Sequence, residues 1–181
     1  MSFTLEGALQ SLKDAFGGSI NETSEFRGQT SITIDKDSFT QIAEHIKNEL
    51  GFTYLLDITA VDHLGNRTPR YDVVYHINRF GPDIDENIIL RLKVPLPEDD
   101  PKIQTATSIW RGANWLEREI YDMFGLNFIG HPDPRRMLLP EHYEAFPLRK
   151  DFDVRNREPA KRSFARALKD LETDFDPEEM D

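Results

Sequence analysis

The chain of 181 residues contains no cysteine. Disulfides, thiolate metal sites and Cys-ligated iron–sulfur clusters are therefore excluded from it. It has no apolar run near the ~20 residues that cross a bilayer, and no Gly-x-Gly-x-x-Gly or phosphate-loop motif for a dinucleotide. The N-terminal segment lacks arginine and a continuous apolar stretch, so it resembles neither a secretory signal nor a mitochondrial transit peptide, and we predict a cytosolic chain.

Basic residues are also scarce, and they are unevenly placed. The formal net charge is −11. Residues 1–110 hold 10 Lys and Arg against 17 Asp and Glu, residues 111–162 hold 10 against 9, and residues 163–181 hold 2 against 7. A protein that binds nucleic acid needs a basic face, which this distribution does not provide. Nucleic acid is therefore not expected as a partner.

The upstream part of the chain shows the alternation of apolar and polar residues that is typical of an antiparallel sheet with one polar face. Strands are predicted at 20–26, 29–34, 54–61, 71–78 and 88–94, and Pro95 is expected to end the last one. Helices are predicted at 5–16 and 39–50, the second capped by Asp35 or Asp37. Residues 103–110 fit one short helical turn. The predicted fold is α+β: a mostly antiparallel sheet of about five strands with helices on one face, plus a long irregular Pro/Arg-rich C-terminal arm.

Residues 115–151 begin as an amphipathic helix and continue as this arm. Leu116, Ile120 and Met123 share one helix face, whereas the face with Arg118 and Asp122 is polar. The helix is expected to end at Gly125, a residue that favours left-handed φ. Four prolines between 132 and 147 exclude a long helix or a central strand.

Residues 1–125 are therefore predicted to form the folded domain, and 126–181 an extension. Apolar residues of the arm need a surface to lie on, either this chain's own domain or another subunit. A last helix is predicted from Pro159 onwards, with Phe164, Leu168 and Leu171 aligned. The acidic end, from 174 onwards, is predicted to be disordered.

Several blocks of residues in this stretch resemble one family. They are Glu117-Arg118-Glu119, Tyr121-Asp122-Met123-Phe124-Gly125, Gly130-His131-Pro132-Asp133, Arg135-Arg136 and Pro147-Leu148-Arg149-Lys150-Asp151. In this order they closely resemble the signature of one subunit, the one designated C, of the proton-translocating NADH-quinone oxidoreductase, respiratory complex I. The dense part of the match covers about a fifth of the chain.

This resemblance implies a non-catalytic subunit in the peripheral arm of the complex. Such a protein would brace the hydrogenase-like large subunit, which is designated D, beside the quinone site and the cluster-bearing subunits, and so support electron transfer from NADH to quinone. Flavin, iron–sulfur clusters, NADH and quinone are then expected in other subunits, with no cofactor in this chain. The expected location is the cytoplasmic face of the bacterial plasma membrane, as a peripheral protein.

Two alternatives stay open at this point. One is the equivalent subunit of a membrane-bound hydrogenase, a formate-hydrogen lyase or a ferredoxin-driven quinone reductase. The other is a stand-alone hydrolase that uses His131 with a carboxylate of the arm, although no nucleophile motif is present.

The chemistry-bearing residues have ordinary structural interpretations. His131 and His142 match no standard metal-ligand spacing, so no metal site is predicted. Glu117 and Glu119 lie ~200° apart on a helix and do not face each other, and no catalytic residue is predicted. Arg118 and Asp122, at i and i+4, are expected to pair.

Two groups of residues are carried forward. The structural signature consists of Trp115, Glu117, Arg118, Glu119, Tyr121, Asp122, Phe124 and Gly125. Because arginine binds carboxylates as a fork and is enriched beside aromatic residues at interfaces, a partner interface is predicted in the arm. Its residues are His131, Arg135, Arg136, Met137, Leu138, Phe146, Arg149 and Lys150.

Overall fold

A computed structural model describes residues 3–81 and 87–174 of the chain. Within these residues the helices are α1 (Leu5–Phe16), α2 (Phe39–Asn48), α3 (Ala113–Phe124) and α4 (Glu158–Asp174). The strands are β1 (Ile20–Phe26), β2 (Gln29–Ile34), β3 (Tyr54–Asp62), β4 (Tyr71–Arg79), β5 (Ile88–Leu96), β6 (Lys102–Gln104) and β7 (Asn127–Ile129).

Five of these strands form the main sheet, in the order β1-β2-β5-β4-β3. Neighbouring strands run antiparallel except β2 and β5, which run parallel. A parallel pair requires a crossover connection, and here α2 and the β3–β4 hairpin lie between the two strands in sequence. The predicted α+β fold with a mostly antiparallel five-stranded sheet is therefore confirmed.

Helices α1 and α2 supply one side of the hydrophobic core. Leu12 of α1 and Ile42 of α2 are fully buried, in one continuous cluster with inward-facing residues of the sheet. The Phe39 ring stacks on Tyr75 of β4 with 4.8 Å between ring centroids. Fully burying one large apolar side chain is worth about 1.5–3 kcal/mol. This layer is therefore expected to supply much of the free energy of folding.

Helix α3 lies beside the edge strand β3 and completes the core with Ala113 and Ile120. Trp110, just before the helix, is buried, and its indole N–H donates to the Phe52 carbonyl at 3.1 Å. It is therefore a core residue, one of the two tryptophans of the chain. The other, Trp115, is exposed on the outer side of α3.

Strands β6 and β7 form a separate parallel pair. The expectation of one helical turn over 103–110 was wrong for its first residues, which belong to β6. Only afterwards does the backbone turn, with the Trp110 N–H bonded to the Ala106 carbonyl at 2.7 Å. Strand β7 lies beyond residue 125, and its Phe128 is part of the hydrophobic core. The core thus reaches into the extension.

Three expectations about element ends were also wrong. Helix α2 starts after a short turn at 36–38 without a side-chain cap, because the Asp35 carboxylate accepts a hydrogen bond from Asn21 instead. It ends at Asn48, two residues earlier than predicted. Strand β5 continues through Pro95 to Leu96. Pro95 is tolerated there because β2 pairs with β5 only as far as Lys93, so a missing N–H breaks no bond to β2.

Helix α4 begins at Glu158 with Pro159 in its first turn, as predicted. Its aligned Phe164 and Leu168 are exposed, whereas the side chain of Leu171 and the tail from 175 onwards lie outside the described residues. None of the described helices combines the length and apolar character needed to span a membrane.

Candidate functional site

The candidate site is the contact between α3 and the arm, defined here as residues 130–157. The sequence assigned Asp122 to the polar face of α3, and a polar face is ordinarily solvated. The structure corrects this expectation, because the arm covers that face. The side chains of Glu117 and Asp122 are both 0% exposed. Leu116 and Met123, on the other face, pack against the core as expected.

Asp122 is the centre of the contact. One oxygen, Oδ2, accepts hydrogen bonds from the N–H groups of Met137, Leu138 and Leu139 at 3.1, 2.7 and 2.9 Å. The other, Oδ1, accepts from Arg136 at 2.6 Å. Burial raises the pKa of a carboxyl, but these hydrogen bonds outweigh it, and the pKa of Asp122 lies below its ordinary value. The arm is thus folded around an ionised carboxylate.

The predicted pair of Arg118 with Asp122 was wrong. The Arg118 guanidinium donates to the carbonyls of Arg135 and Arg136 at 3.0 and 3.1 Å, and it lies 3.2 Å from the Asp133 carboxylate. An i, i+4 pair on an exposed helix face contributes only ~0.3–0.5 kcal/mol, whereas unpaired arm carbonyls at a covered surface would cost more. Arg118 and Asp122 therefore both bind the arm and not each other.

Glu117 fastens a different segment. Its carboxylate accepts hydrogen bonds from the Ala106 N–H at 2.6 Å and the Thr105 hydroxyl at 2.5 Å. Burial raises the pKa of Glu117 to about 7, although these two hydrogen bonds oppose the shift. Glu119 is exposed on the same helix. The two glutamates do not face each other, as the helical spacing indicated.

His131 attaches the first residues of the arm to α3. Its Nδ1 accepts from the Asp133 N–H at 3.0 Å, and its Nε2 lies 3.0 Å from the Asn114 carbonyl, which can only accept. This arrangement selects the neutral tautomer with the proton on Nε2. The Glu117 carboxylate lies 4.0 Å away. Within this chain, His131 is therefore a structural residue whose two ring nitrogens are both hydrogen-bonded.

Gly125 makes room for the later part of the arm. Its φ is +69°, and a Cβ there would lie 2.6 Å from the Phe146 ring and 2.8 Å from the Arg149 guanidinium. Arg149 donates to the Phe124 carbonyl at 2.5 Å and stacks over Phe146, 4.6 Å from the ring centroid. Glycine is required here for its conformation and for its lack of a side chain.

A second contact, an ion-pair cluster around Arg70 that the sequence did not reveal, holds the end of the arm. Arg70 is bound by Asp62 at 2.8 Å, Glu98 at 2.6 Å and Asp151 at 3.0 Å, and the Lys150 N–H donates to Asp62 at 2.9 Å. Hydrogen bonding to Arg70 holds the pKa of Asp62 well below its usual range. The sequence alone offers little indication of this contact, because Asp62 and Arg70 flank a polar turn, where charged residues are common.

The structure divides the predicted interface residues into two groups. His131, Arg136 and Arg149 bind within the chain, and Met137 and Phe146 are half-buried. Arg135, Leu138 and Lys150 are exposed, although Arg135 also pairs with Asp133 at 2.6 Å. Of the structural signature, Trp115 is exposed, with Arg118 over its ring at 5.1 Å, and Tyr121 contacts the Phe146 ring. The roles of these residues towards a partner stay predictions.

The two arm histidines are bound separately. His142 pairs with Asp170 at 2.7 Å, whereas His131 binds the backbone of α3 and the arm. Among the described residues, no three His, Cys, Asp or Glu side chains are grouped as metal ligands would be. The carboxylates with perturbed pKa values instead hold parts of this chain together.

The chain matches a family model described as the 30-kDa subunit of respiratory-chain NADH dehydrogenase, over residues 32–158. It is 40% identical over 156 residues to the NADH-quinone oxidoreductase C subunit of Geobacter sulfurreducens, covering 85% of this chain and 94% of the relative. It is 35% identical over 164 residues to the NADH-quinone oxidoreductase C/D subunit of a Psychrobacter species, covering 87% of this chain and 27% of that longer protein.

Two solved structures are similar in fold. A trypsin-resistant fragment of Nqo5 has a TM-score of 0.62 and 33% identity, over 71% of this chain and 98% of the fragment. A chain of the membrane-bound sulfane sulfur reductase, an archaeal respiratory complex, has a TM-score of 0.68 and 21% identity, over 95% of this chain and 93% of that chain. The second likeness shows the fold alone. The family model and the relatives of similar length show that the chain belongs to the family of the NADH-quinone oxidoreductase C subunit, the 30-kDa subunit of respiratory-chain NADH dehydrogenase.

Proposed function

We propose that this chain is a non-catalytic bracing subunit of a proton-translocating NADH:quinone oxidoreductase. It docks on the hydrogenase-like large subunit in the peripheral arm of the complex, next to the quinone site and the cluster-bearing subunits. In this proposal the flavin, the clusters and the NADH and quinone sites belong to other subunits. The complex would hold the chain on the cytoplasmic face of the membrane.

The observation that carries this proposal is the C/D relative. In the Psychrobacter protein, a segment similar to this chain is part of one longer polypeptide that is named for both subunits. Fusion keeps two partners at a high effective concentration. When the two are separate polypeptides, a binding surface would need to take the place of that covalent link.

The arm is suited to provide such a surface. Asp122 holds it near its middle, and the Asp62–Arg70 pair holds its end. Leu138 belongs to the segment that Asp122 holds through backbone N–H groups, but its side chain is 61% exposed, and Arg135 and Lys150 are also on the outside. Arginine is enriched at interface hot spots, and a partner that covered Leu138 would bury apolar surface beside it. Because the arm is fixed on the domain, a partner bound to it would be positioned rigidly.

A rigid position has a use in electron transfer, since distances between redox centres must stay fixed. The ionisable groups of the site form contacts within the chain that keep it rigid. Glu117, Asp122 and Arg136 each bind other parts of this chain. This supports a bracing role for them over acid–base chemistry on a substrate.

The test is binding to the large subunit of the same organism, produced with this chain. We expect Leu138→Asp to fold normally and to weaken binding at least tenfold, which corresponds to ~1.4 kcal/mol. Leu64→Asp, in the exposed β3–β4 turn, is the control and should bind as the wild type does. Equal binding by both variants would show that the arm is not the docking surface.

Arg136→Glu and Arg149→Glu give a different result if these residues are braces. We expect both to loosen the arm in the chain alone, seen as faster cleavage by proteases, before any partner is added. Loss of binding with an intact arm would instead make them direct contacts with the large subunit.

The cofactor content of the isolated chain is a separate test. We expect purified, washed protein to show no visible absorption and less than about one-tenth of an equivalent of any tightly bound metal, since it has no cysteine ligands. A stoichiometric chromophore or metal would contradict a purely bracing role.

A second candidate is an equivalent subunit in a related complex, and its support is weaker. The likeness to the sulfane sulfur reductase chain covers 95% of this chain, including the arm, but at 21% identity it shows fold only. Subunits that co-purify with the chain from native membranes would distinguish the two. An NADH-oxidising module favours the first proposal, and a hydrogenase, ferredoxin-driven or sulfur-reducing module favours the second.

A further inference from the structure

Glu117 is a buried carboxyl that gains and loses a proton near neutral pH. Its side chain is 0% exposed, and its pKa lies at about 7 because burial disfavours the charged form. The two donors that it binds, the Thr105 hydroxyl and the Ala106 N–H, are both uncharged. A buried carboxylate is stabilised by every further donor that can reach it, so the neighbours of Glu117 decide what its ionisation does.

Titratable and charged side chains face Glu117 from three elements. His131 comes from the arm, with its Nε2 4.0 Å from the Glu117 carboxylate. Tyr75 comes from β4, and burial and the charge of Glu117 both raise its pKa, so its hydroxyl keeps its proton at neutral pH. Arg118, on α3 itself, is held by two arm carbonyls and by Asp133. His131 is therefore the group whose hydrogen bond can respond to Glu117.

His131 can supply a donor to Glu117 without gaining a proton. Its Nε2–H is bonded to the Asn114 carbonyl, and its Nδ1 accepts from the Asp133 N–H, both at 3.0 Å. In an α-helix the carbonyl at 114 also accepts from the N–H four residues later, so it does not depend on His131. A cavity of about 10 Å³ is lined by both Glu117 and His131. A shift of about 1 Å brings Nε2 to the distance of a charge-assisted hydrogen bond.

We propose that Glu117 and His131 form a proton-operated switch at the start of the arm, residues 130–133. When Glu117 carries its proton, the His131 Nε2–H binds the Asn114 carbonyl, as in the structure. When Glu117 loses that proton to solvent, the same N–H turns to the carboxylate, and the imidazole stays neutral. This inference goes beyond the proposed function and does not depend on it, because both groups belong to this chain.

The hydrogen bonds of His131 set the direction of the switch. A doubly protonated imidazole would place an Nδ1–H against the Asp133 N–H, so that two donors would face each other. The proton of Glu117 therefore leaves for solvent and does not move to His131. A hydrogen bond to a carboxylate is roughly twice as strong as one to a neutral carbonyl. The start of the arm is thus held more tightly above neutral pH than below it.

Nuclear magnetic resonance of the full chain, labelled with 15N, tests the switch. The His131 Nε2–H signal should move downfield as the pH rises, with a midpoint near 7, because a stronger hydrogen bond deshields the proton. Protection of the Asp133 amide, corrected for intrinsic exchange, should increase about tenfold between about pH 6 and pH 8. The Asp133 carboxylate does not contribute to this change, since the Arg135 guanidinium holds its pKa at about 2.

Three variants assign the response. Glu117→Gln cannot ionise, so both changes should disappear. Glu119→Gln, on the exposed side of the same helix, is the matched control and should keep both. His131→Asn retains an acceptor for the Asp133 N–H but is too short to reach Glu117. In that variant the infrared carboxyl band of Glu117 should titrate at a higher pH than in the wild type, because the carboxylate has lost a donor.

Several results would overturn the switch. One is an Asp133 amide whose protection does not change with pH, and another is an equal change in Glu117→Gln. Nitrogen shifts of a doubly protonated His131 in the folded chain would place the proton on the histidine. An unchanged titration of Glu117 in His131→Asn would mean that another donor, such as Tyr75, serves the carboxylate. This last measurement decides the question even if Glu117→Gln does not fold.

Discussion

Asp122→Asn is the change that tests the arm contact most directly. The side chain keeps its shape, but one oxygen becomes an NH2 group. If that group replaces Oδ1, it faces the Arg136 guanidinium, and two donors meet. If it replaces Oδ2, the N–H groups of Met137, Leu138 and Leu139 lose their acceptor. Neither orientation of the amide satisfies both sides.

The expected cost follows from burial. Asp122 is 0% and Arg136 9% exposed at the side chain, and removing one partner of a buried ion pair costs about 3–5 kcal/mol. At 1.4 kcal/mol per tenfold, this is two to three powers of ten or more in the equilibrium between the docked and the open arm. The core behind α3 is untouched, so the loss should be local.

Hydrogen exchange followed by mass spectrometry measures this equilibrium. Amides 137–139 are bonded to Asp122, so they should exchange at least a hundredfold faster in Asp122→Asn, whereas amides of β4 should keep their rates. Glu119→Gln, on the exposed side of the same helix, is the matched control and should leave both regions unchanged.

A rate at 137–139 within threefold of the wild type would refute the reasoning. It would mean that contacts other than Asp122 hold the arm. A general rise in exchange, including β4, would show that Asp122 stabilises the domain as a whole and not the arm in particular.

The same contact should depend on pH in a defined direction. The pKa of Asp122 is lower in the folded chain than its ordinary value of ~3.9. Its stabilisation is therefore complete above that value and is lost as the pH falls through the lower, folded pKa. Protection at 137–139 should be insensitive to this group between pH 5 and 8 and should fall below about pH 4, and Asp122→Asn should remove that fall.

Three further predictions concern stability and cleavage. The pKa of Glu117 rises from 4.5 to about 7 on folding. The free energy of unfolding, measured by urea titration, should therefore fall by ~3 kcal/mol between pH 4.5 and 7 through this group. Glu117→Gln should remove this part of the pH dependence. Gly125→Ala should destabilise the chain by ~1–2 kcal/mol because of the left-handed φ and by ~1–3 kcal/mol more because of the clash with Phe146. Gly28→Ala, also at positive φ but in open space, should cost only the ~1–2 kcal/mol of the left-handed φ. Equal costs for the two variants would contradict the clash. Trypsin should cut the isolated chain within 126–181 first, since residues 1–125 hold most of the core; early cuts inside 52–94 would contradict this.

Much of the main sheet was already determined by local sequence pattern. Strands β1 and β2 have the predicted limits, and α3 ends at Phe124, just before Gly125, because alternation, helical spacing and a left-handed glycine act within a few residues. The signature blocks in and after α3 also indicate the family without any tertiary information. Such signals need no knowledge of what lies on the other side of an element.

Local pattern failed where a distant segment changes the environment of a residue. Strict alternation would place Tyr54 and Leu56 on the same face as the buried Ile58, but a bulge between Leu55 and Asp57 leaves both exposed. Pro95 stays within β5 because its neighbour β2 has already ended. The pairing of β6 with β7 joins strands that α3 separates in sequence.

The site shows the same division. The sequence supplied its residues and, through the family, their expected importance, but it placed Asp122 on the polar face of α3 and paired it with Arg118. Only the tertiary structure brings the N–H groups at 137–139 onto Asp122, and Asp151 onto Arg70, 81 residues away. Periodicity reports which side of a helix is apolar. It cannot report that a proline-rich segment, with backbone donors of its own to satisfy, will bury the polar side.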